Sequence, residues 1–274
     1  MRRILGPAIT ILLLAGLGFA IYRSVGEQLT ARRAVTIRGL IGSEKEEFFK
    51  DPEVLDTLRR AGFIVQVEKA GSREIAAFDL KKYDFAFPGG MPAAEKIRRE
   101  SHVTKSHVPF FTPMAVASWR AIAEILSANG MARDQGSYYL LDMGKLLEAM
   151  AAGKRWKDLQ NNAVYAVNKP ILVNSTDVRK SNSAAMYLSL ASFVANGSTI
   201  VENEKEITRI LPVMQKLFLQ QGFVESSSEG PFESYLLMGM GKAPLVMIYE
   251  AQFVSHAAMA NGVAHCGHRR SGAE

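Results

Sequence analysis

Side chains able to hold a polar ligand are concentrated in one stretch of this chain. Ser175-Thr176-Asp177 is followed by Arg179-Lys180-Ser181-Asn182-Ser183. The apolar run Ile171-Leu172-Val173 leads into the stretch, and a small-residue helix containing Tyr187 leads out of it. This order puts hydroxyls and free backbone N–H groups at a helix N-terminus, where four amides lack an internal partner. Such a terminus suits an anion or another polar ligand. The competing role for Ser181 or Ser183 is to cap the helix and nothing more.

The same device occurs near the start of the chain. Val35, Ile37 and Ile41 follow the period of two expected of a strand. Gly42-Ser43 is the turn, and Glu44–Lys50 begins a helix. Gly71-Ser72 makes another turn of this kind, into a helix expected over Glu74–Asp79. The candidate ligand-binding residues are therefore Ser43, Glu44, Ser72, Arg179, Ser181, Asn182 and Ser183. Tyr249 and Glu250, at the end of a late apolar run, are candidates for a hinge or ligand contact.

The elements that position these residues alternate in type. Asp51-Pro52 starts a helix that Gly62 stops, and Phe63–Val67 is a strand. Tyr83–Phe87 is a strand ended by Pro88-Gly89-Gly90, and Ala93–Glu100 is a charged helix. A βαβαβα order predicts a largely parallel sheet. Val108–Ala117 carries Pro109 and Pro113, so it is expected as a crossover and not as a central strand throughout. Helices are expected over Trp119–Asn129, from Asp142 to Gly153, and over Ser183–Asn196, Glu204–Gln221 and Phe232–Met240. Ala243–Ile248 is a strand, and Met214 and Met238 are expected as core filler.

Of the 274 residues, 48% are hydrophobic and 22% charged, as in an ordinary globular protein. The net charge of +6 comes from scattered, mixed charges with no basic stripe, which argues against nucleic acid as a partner. The single cysteine, Cys266, rules out an internal disulfide. His265-Cys266-Gly267-His268 lacks common zinc spacing, so no metal or other cofactor is expected. Residues 264–274 show no periodicity and are expected as a disordered tail.

Arg2-Arg3 precede an apolar run from Ile4 to Tyr22, which Arg23 closes. That is near the lower length limit for a bilayer span, and the leading charges favour a cytoplasmic N-terminus. Residues 1–26 are therefore expected as an uncleaved signal anchor. The alternative is a signal peptide cut after Gly18-Phe19-Ala20. Under both alternatives the bulk of the chain lies on the periplasmic side of the cell membrane.

Several segments together resemble the type 2 periplasmic substrate-binding fold, the class of molybdate- and sulfate-binding proteins. They are Gly42-Ser43-Glu44-Lys45, Gly71-Ser72, Tyr83-Asp84-Phe85 and Asp177–Ser183, with Gly230–Tyr235 and Val246–Glu250. The resemblance covers Val35 to Phe253. It implies an α/β protein of two lobes with mostly parallel sheets. Lobe 1 would span residues 34–112 plus 244–263, and lobe 2 residues 113–243. The return strand would be Pro244–Glu250. The resemblance also implies a C-terminus shortened relative to that class.

Catalytic motifs are missing. The sequence has no Gly-x-Ser-x-Gly, His-Glu-x-x-His, Walker or Gly-x-Gly-x-x-Gly pattern, so no enzyme is expected. The expected function is that of a membrane-anchored solute-binding protein. It would close on a small polar ligand, an oxyanion being one candidate, and serve uptake through a membrane permease. The alternative is an extracytoplasmic sensor or scaffold module that binds a partner protein without transport.

Overall fold

The computed structural model describes residues 14–18, 34–222 and 225–260. It is an α/β protein. Strand β1 (Val35–Gly42) lies between β2 (Phe63–Ala70) and β3 (Phe85–Phe87), and all pairings are parallel. Val35 pairs with Phe63, and Gly39 with both Val67 and Phe85. A parallel sheet needs crossovers that carry cover. The β1–β2 crossover holds a single 3-10 turn (Ser43–Lys45) and helices α1 (Glu46–Lys50) and α2 (Pro52–Arg60). Asp51 caps α2 by accepting from the amides of Glu53 and Val54, as the Asp-Pro signature predicts. Gly62 ends the turn after α2 at φ +87°, where a side chain would be strained.

One face of this sheet buries Leu40, with Ile75 and with Ile97 from α3 (Met91–Glu100). The other face is aromatic. The Phe85 ring lies across Gly39, where a Cβ would sit 2.0 Å from its tip, and Phe49 packs on Phe85. The helix expected over Glu74–Asp79 shrinks to a 3-10 turn, Ile75–Ala77. Only Ile75 there is fully buried, too little apolar surface to hold a longer helix.

The rest of the chain builds a second, larger core. Strand β4 (Met114–Ser118) pairs antiparallel with β7 (Leu245–Tyr249), and Asn174 adds a parallel bridge to Val246. Two expectations change here. The end of the Pro-containing crossover is a strand, because both prolines precede the hydrogen-bonded residues. The late strand, expected to return to lobe 1, pairs with β4 instead. A short antiparallel pair, β5 (Ala132–Asp134) with β6 (Tyr139–Leu141), also departs from the mostly parallel expectation. Three-residue strands are too short to show a period.

Helices α4 (Arg120–Ala128), α5 (Met143–Ala151), α6 (Asn182–Ala195) and α7 (Glu204–Leu219) surround Trp156, Ile171 and Val173, all essentially unexposed. Met214 joins that core. Met238, at the end of α8 (Glu229–Met238), is exposed instead, because β7 is covered on that side by Phe232 and Tyr235. Helix α9 (Glu250–Ala260) follows β7 directly.

Most of the expected anchor falls outside the described residues. Within it, residues 14–18 are helical. No helix among the described residues is long and apolar enough to cross a membrane. The expected tail, residues 264–274, lies wholly outside the described residues.

Candidate functional site

Strands β1, β2 and β3 run in the same direction, so their carboxyl ends open on one side. In parallel sheets, ligands bind in the crevice beyond those ends. Here the ends are Gly42, Ala70 and Phe87, and the turns that follow supply Ser43-Glu44-Lys45, Ser72 and Gly89-Gly90. The N-terminus of α6 and the end of β7 face the same place.

Gly89 marks the point of convergence. Its amide donates to Ser72 Oγ at 2.7 Å, and its carbonyl accepts from Asn182 Nδ2 at 3.1 Å. A Cβ on Gly89 would lie 2.7 Å from Glu44 Oε1, 2.9 Å from Ser72 Oγ and 3.1 Å from the Tyr249 hydroxyl. A Cβ on Gly90 would lie 2.5 Å from Asn182 Oδ1. Glycine is needed here for close approach, not for its φ. Asn182 Nδ2 also donates to the Tyr249 hydroxyl at 2.9 Å.

The Glu44 and Lys45 side chains are 9% and 6% exposed and pair with each other. The Lys45 ammonium also sits 4.6 Å from the centre of the Phe87 ring. A carboxylate and an ammonium withdrawn from water persist only when paired. Burial, with the charge of Glu44 nearby, raises the Tyr249 pKa, so its hydroxyl stays protonated.

The turn before α6 is fixed by Asp177. Its carboxylate accepts from the Arg179 amide at 2.9 Å and grips the Arg179 guanidinium at 3.0 and 2.6 Å. That guanidinium holds the Asp177 carboxyl down at about 2. The Lys180 and Ser181 amides donate to the Asp177 carbonyl. Ser181 occupies the N-cap position of α6 without a side-chain cap bond. Its hydroxyl pairs with Ser183 Oγ at 2.9 Å, and Ser183 pairs with Thr176 Oγ1 at 2.9 Å.

The structure thus brings Glu44, Ser72, Asn182 and Tyr249 together. Ser43 reaches across to the 225–228 segment, bonding Ser227 Oγ at 2.7 Å. Ser181 and Ser183 are buried in their own hydroxyl cluster. Arg179 is 82% exposed and engaged by Asp177, and Lys180 pairs with Glu74 at 3.2 Å. The cations expected to greet an oxyanion are therefore occupied elsewhere. Glu250 is exposed and opens α9, its amide bonded to the Pro113 carbonyl.

No protein-family model matches this sequence, and no curated protein matches it. Lys45, Gly89, Gly90 and Ser227 belong to it and were not singled out from the sequence. The signal for the glycines was present: two in a row after an apolar strand mark a close backbone approach. Among the described residues, no cluster of His, Cys, Asp and Glu suits a metal ion.

Proposed function

We propose that the chain is an exported solute-binding protein of the type 2 two-lobed class, closing on a small polar ligand for delivery to a membrane permease. The observation that carries this reading is the junction at Gly89. There the carboxyl ends of a parallel sheet meet the N-terminus of α6 and the end of β7. The first sheet with its helices is one lobe, and the core around Trp156 is the other. The chain passes from the first to the second through residues 101–113, and after Glu250 helix α9 packs on β7 and β4 and beside Phe232. Movement about that connection would close the two parts on a ligand.

The sequence supports a membrane anchor through Arg2-Arg3 and the apolar run Ile4–Tyr22. On this reading the bulk of the chain lies outside the cytoplasm.

A thermal-shift screen of the full chain with sulfate, molybdate, amino acids, sugars and their uncharged amides tests the reading. A ligand that stabilises the fold should lose that effect in Asn182→Ala. A screen without any stabilising compound would count against ligand binding at this junction.

A further inference from the structure

The junction at Gly89 is one end of a much larger cleft. The cleft has a volume of about 1360 Å³ and runs from Glu44, Asn182 and Tyr249 along the open side of β3. Ligand pockets are commonly about 300–1,000 Å³, so this one has room for more than a small polar head. Its lining is largely apolar and includes Phe85, Phe87, Ile97 and Phe110. Phe110 packs against two other rings, with centroid separations of 5.4 Å to Phe87 and 5.5 Å to Phe48. The other charges on the lining, Asp79, Lys81, Asp84, Arg98, Glu100 and Lys105, are all exposed to water.

We propose that the ligand of this site is an uncharged amphipath. Its hydrogen-bond-accepting head, an amide, ester or ketone carbonyl, meets the Tyr249 hydroxyl, and its apolar body lies between α3 and residues 101–112. The inference rests on the junction being a ligand site.

Two observations select the head. Tyr249 is 3% exposed and its oxygen accepts from Asn182. No acceptor for its own proton is found among the described residues, so that proton is available to a ligand in the cleft. The second observation is the charge balance. Glu44 and Lys45 neutralise each other beside the hydroxyl. A charged head would enter a dry site with no counter-ion, which is costly. A carboxylate would in addition face Glu44. The apolar body follows from the walls, since each buried methylene strengthens binding by an appreciable factor.

Calorimetric titration of the full chain in lipid nanodiscs, with empty nanodiscs as the blank, tests this with four probes. They are hexanamide, hexanoate, hexylammonium and acetamide. Hexanamide should bind at least about tenfold more tightly than acetamide, and more tightly than either charged probe. Tyr249→Phe should weaken hexanamide roughly 3- to 10-fold, the worth of one hydrogen bond. Phe110→Ser, at a ring 44% exposed and therefore tolerant of change, should weaken it by about tenfold. Circular dichroism establishes that both variants are folded. Equal binding of hexanamide and acetamide would overturn the apolar body while leaving the polar junction as a ligand site. Preference for hexanoate or hexylammonium would overturn the uncharged head. An unchanged affinity in folded Tyr249→Phe would overturn the role of Tyr249. Absence of binding by all four would overturn this proposal and weigh against the ligand site itself.

Discussion

Asn182 Nδ2 donates to the Tyr249 hydroxyl at 2.9 Å and to the Gly89 carbonyl at 3.1 Å. One amide at the start of α6 thereby ties the end of β7 to the turn after β3. The three groups come from distant parts of the sequence, and Asn182 and Tyr249 are buried.

Asn182→Ala should therefore destabilise the fold. It leaves a half-buried carbonyl and a buried hydroxyl short of a donor, a loss of about 1–3 kcal/mol. Urea unfolding followed by fluorescence measures it. An unchanged midpoint would mean that water replaces the amide without cost.

Gly89→Ala should also lower stability, by about 1–3 kcal/mol, the usual range for overpacking. The added methyl would press on Glu44 Oε1 and Ser72 Oγ at under 3 Å. Gly136→Ala is a useful contrast. Its φ of +86° makes it strained, but a Cβ there meets nothing within 4 Å. Only the Gly89 variant should also disturb ligand binding.

The turns at Gly42-Ser43, Gly71-Ser72 and Ser181-Asn182 were legible in the sequence because small polar residues follow apolar runs and precede helices. The parallel order of β1 to β3 was legible for the same reason. What each strand pairs with was not. The pattern of Leu245–Tyr249 says that it is buried, but nothing in one strand names its neighbour, here β4. Side-chain direction was equally hidden. Ser181 looked like a ligand or a cap and instead bonds Ser183. Nothing in the neighbouring residues marks Lys45 for burial, yet it is buried against Glu44 and Phe87.

Acid should destabilise the turn before α6. The Arg179 guanidinium holds the Asp177 carboxyl at about 2, below its ordinary 3.8. The folded state thus binds fewer protons than the unfolded state between these values. Stability from this pair is present above about pH 4 and is lost as pH falls toward 2. Arg179 is largely exposed, so the effect is modest and weakens with salt. Asp177→Asn should be less stable at neutral pH and flatter between pH 4 and 2 in thermal melts.

The full chain should remain with the membrane after carbonate washing. The basis is Arg2-Arg3 ahead of the apolar run Ile4–Tyr22. A soluble product whose N-terminal sequence begins at Ile21 would contradict the anchor and leave export intact.

The central claim is that a ligand occupies the junction where Glu44, Ser72, Gly89, Asn182 and Tyr249 meet. The most direct test compares thermal shifts of the wild-type chain and Gly89→Ala with the compounds of the ligand screen and the hexyl probes. At a concentration about 100 times its Kd, a true ligand adds ~2.7 kcal/mol, which raises Tm by about 5–10 °C. The account predicts such a shift for the wild type and its loss in Gly89→Ala, where a methyl occupies the junction. A shift of equal size in both proteins, or no shift with any compound, would contradict it.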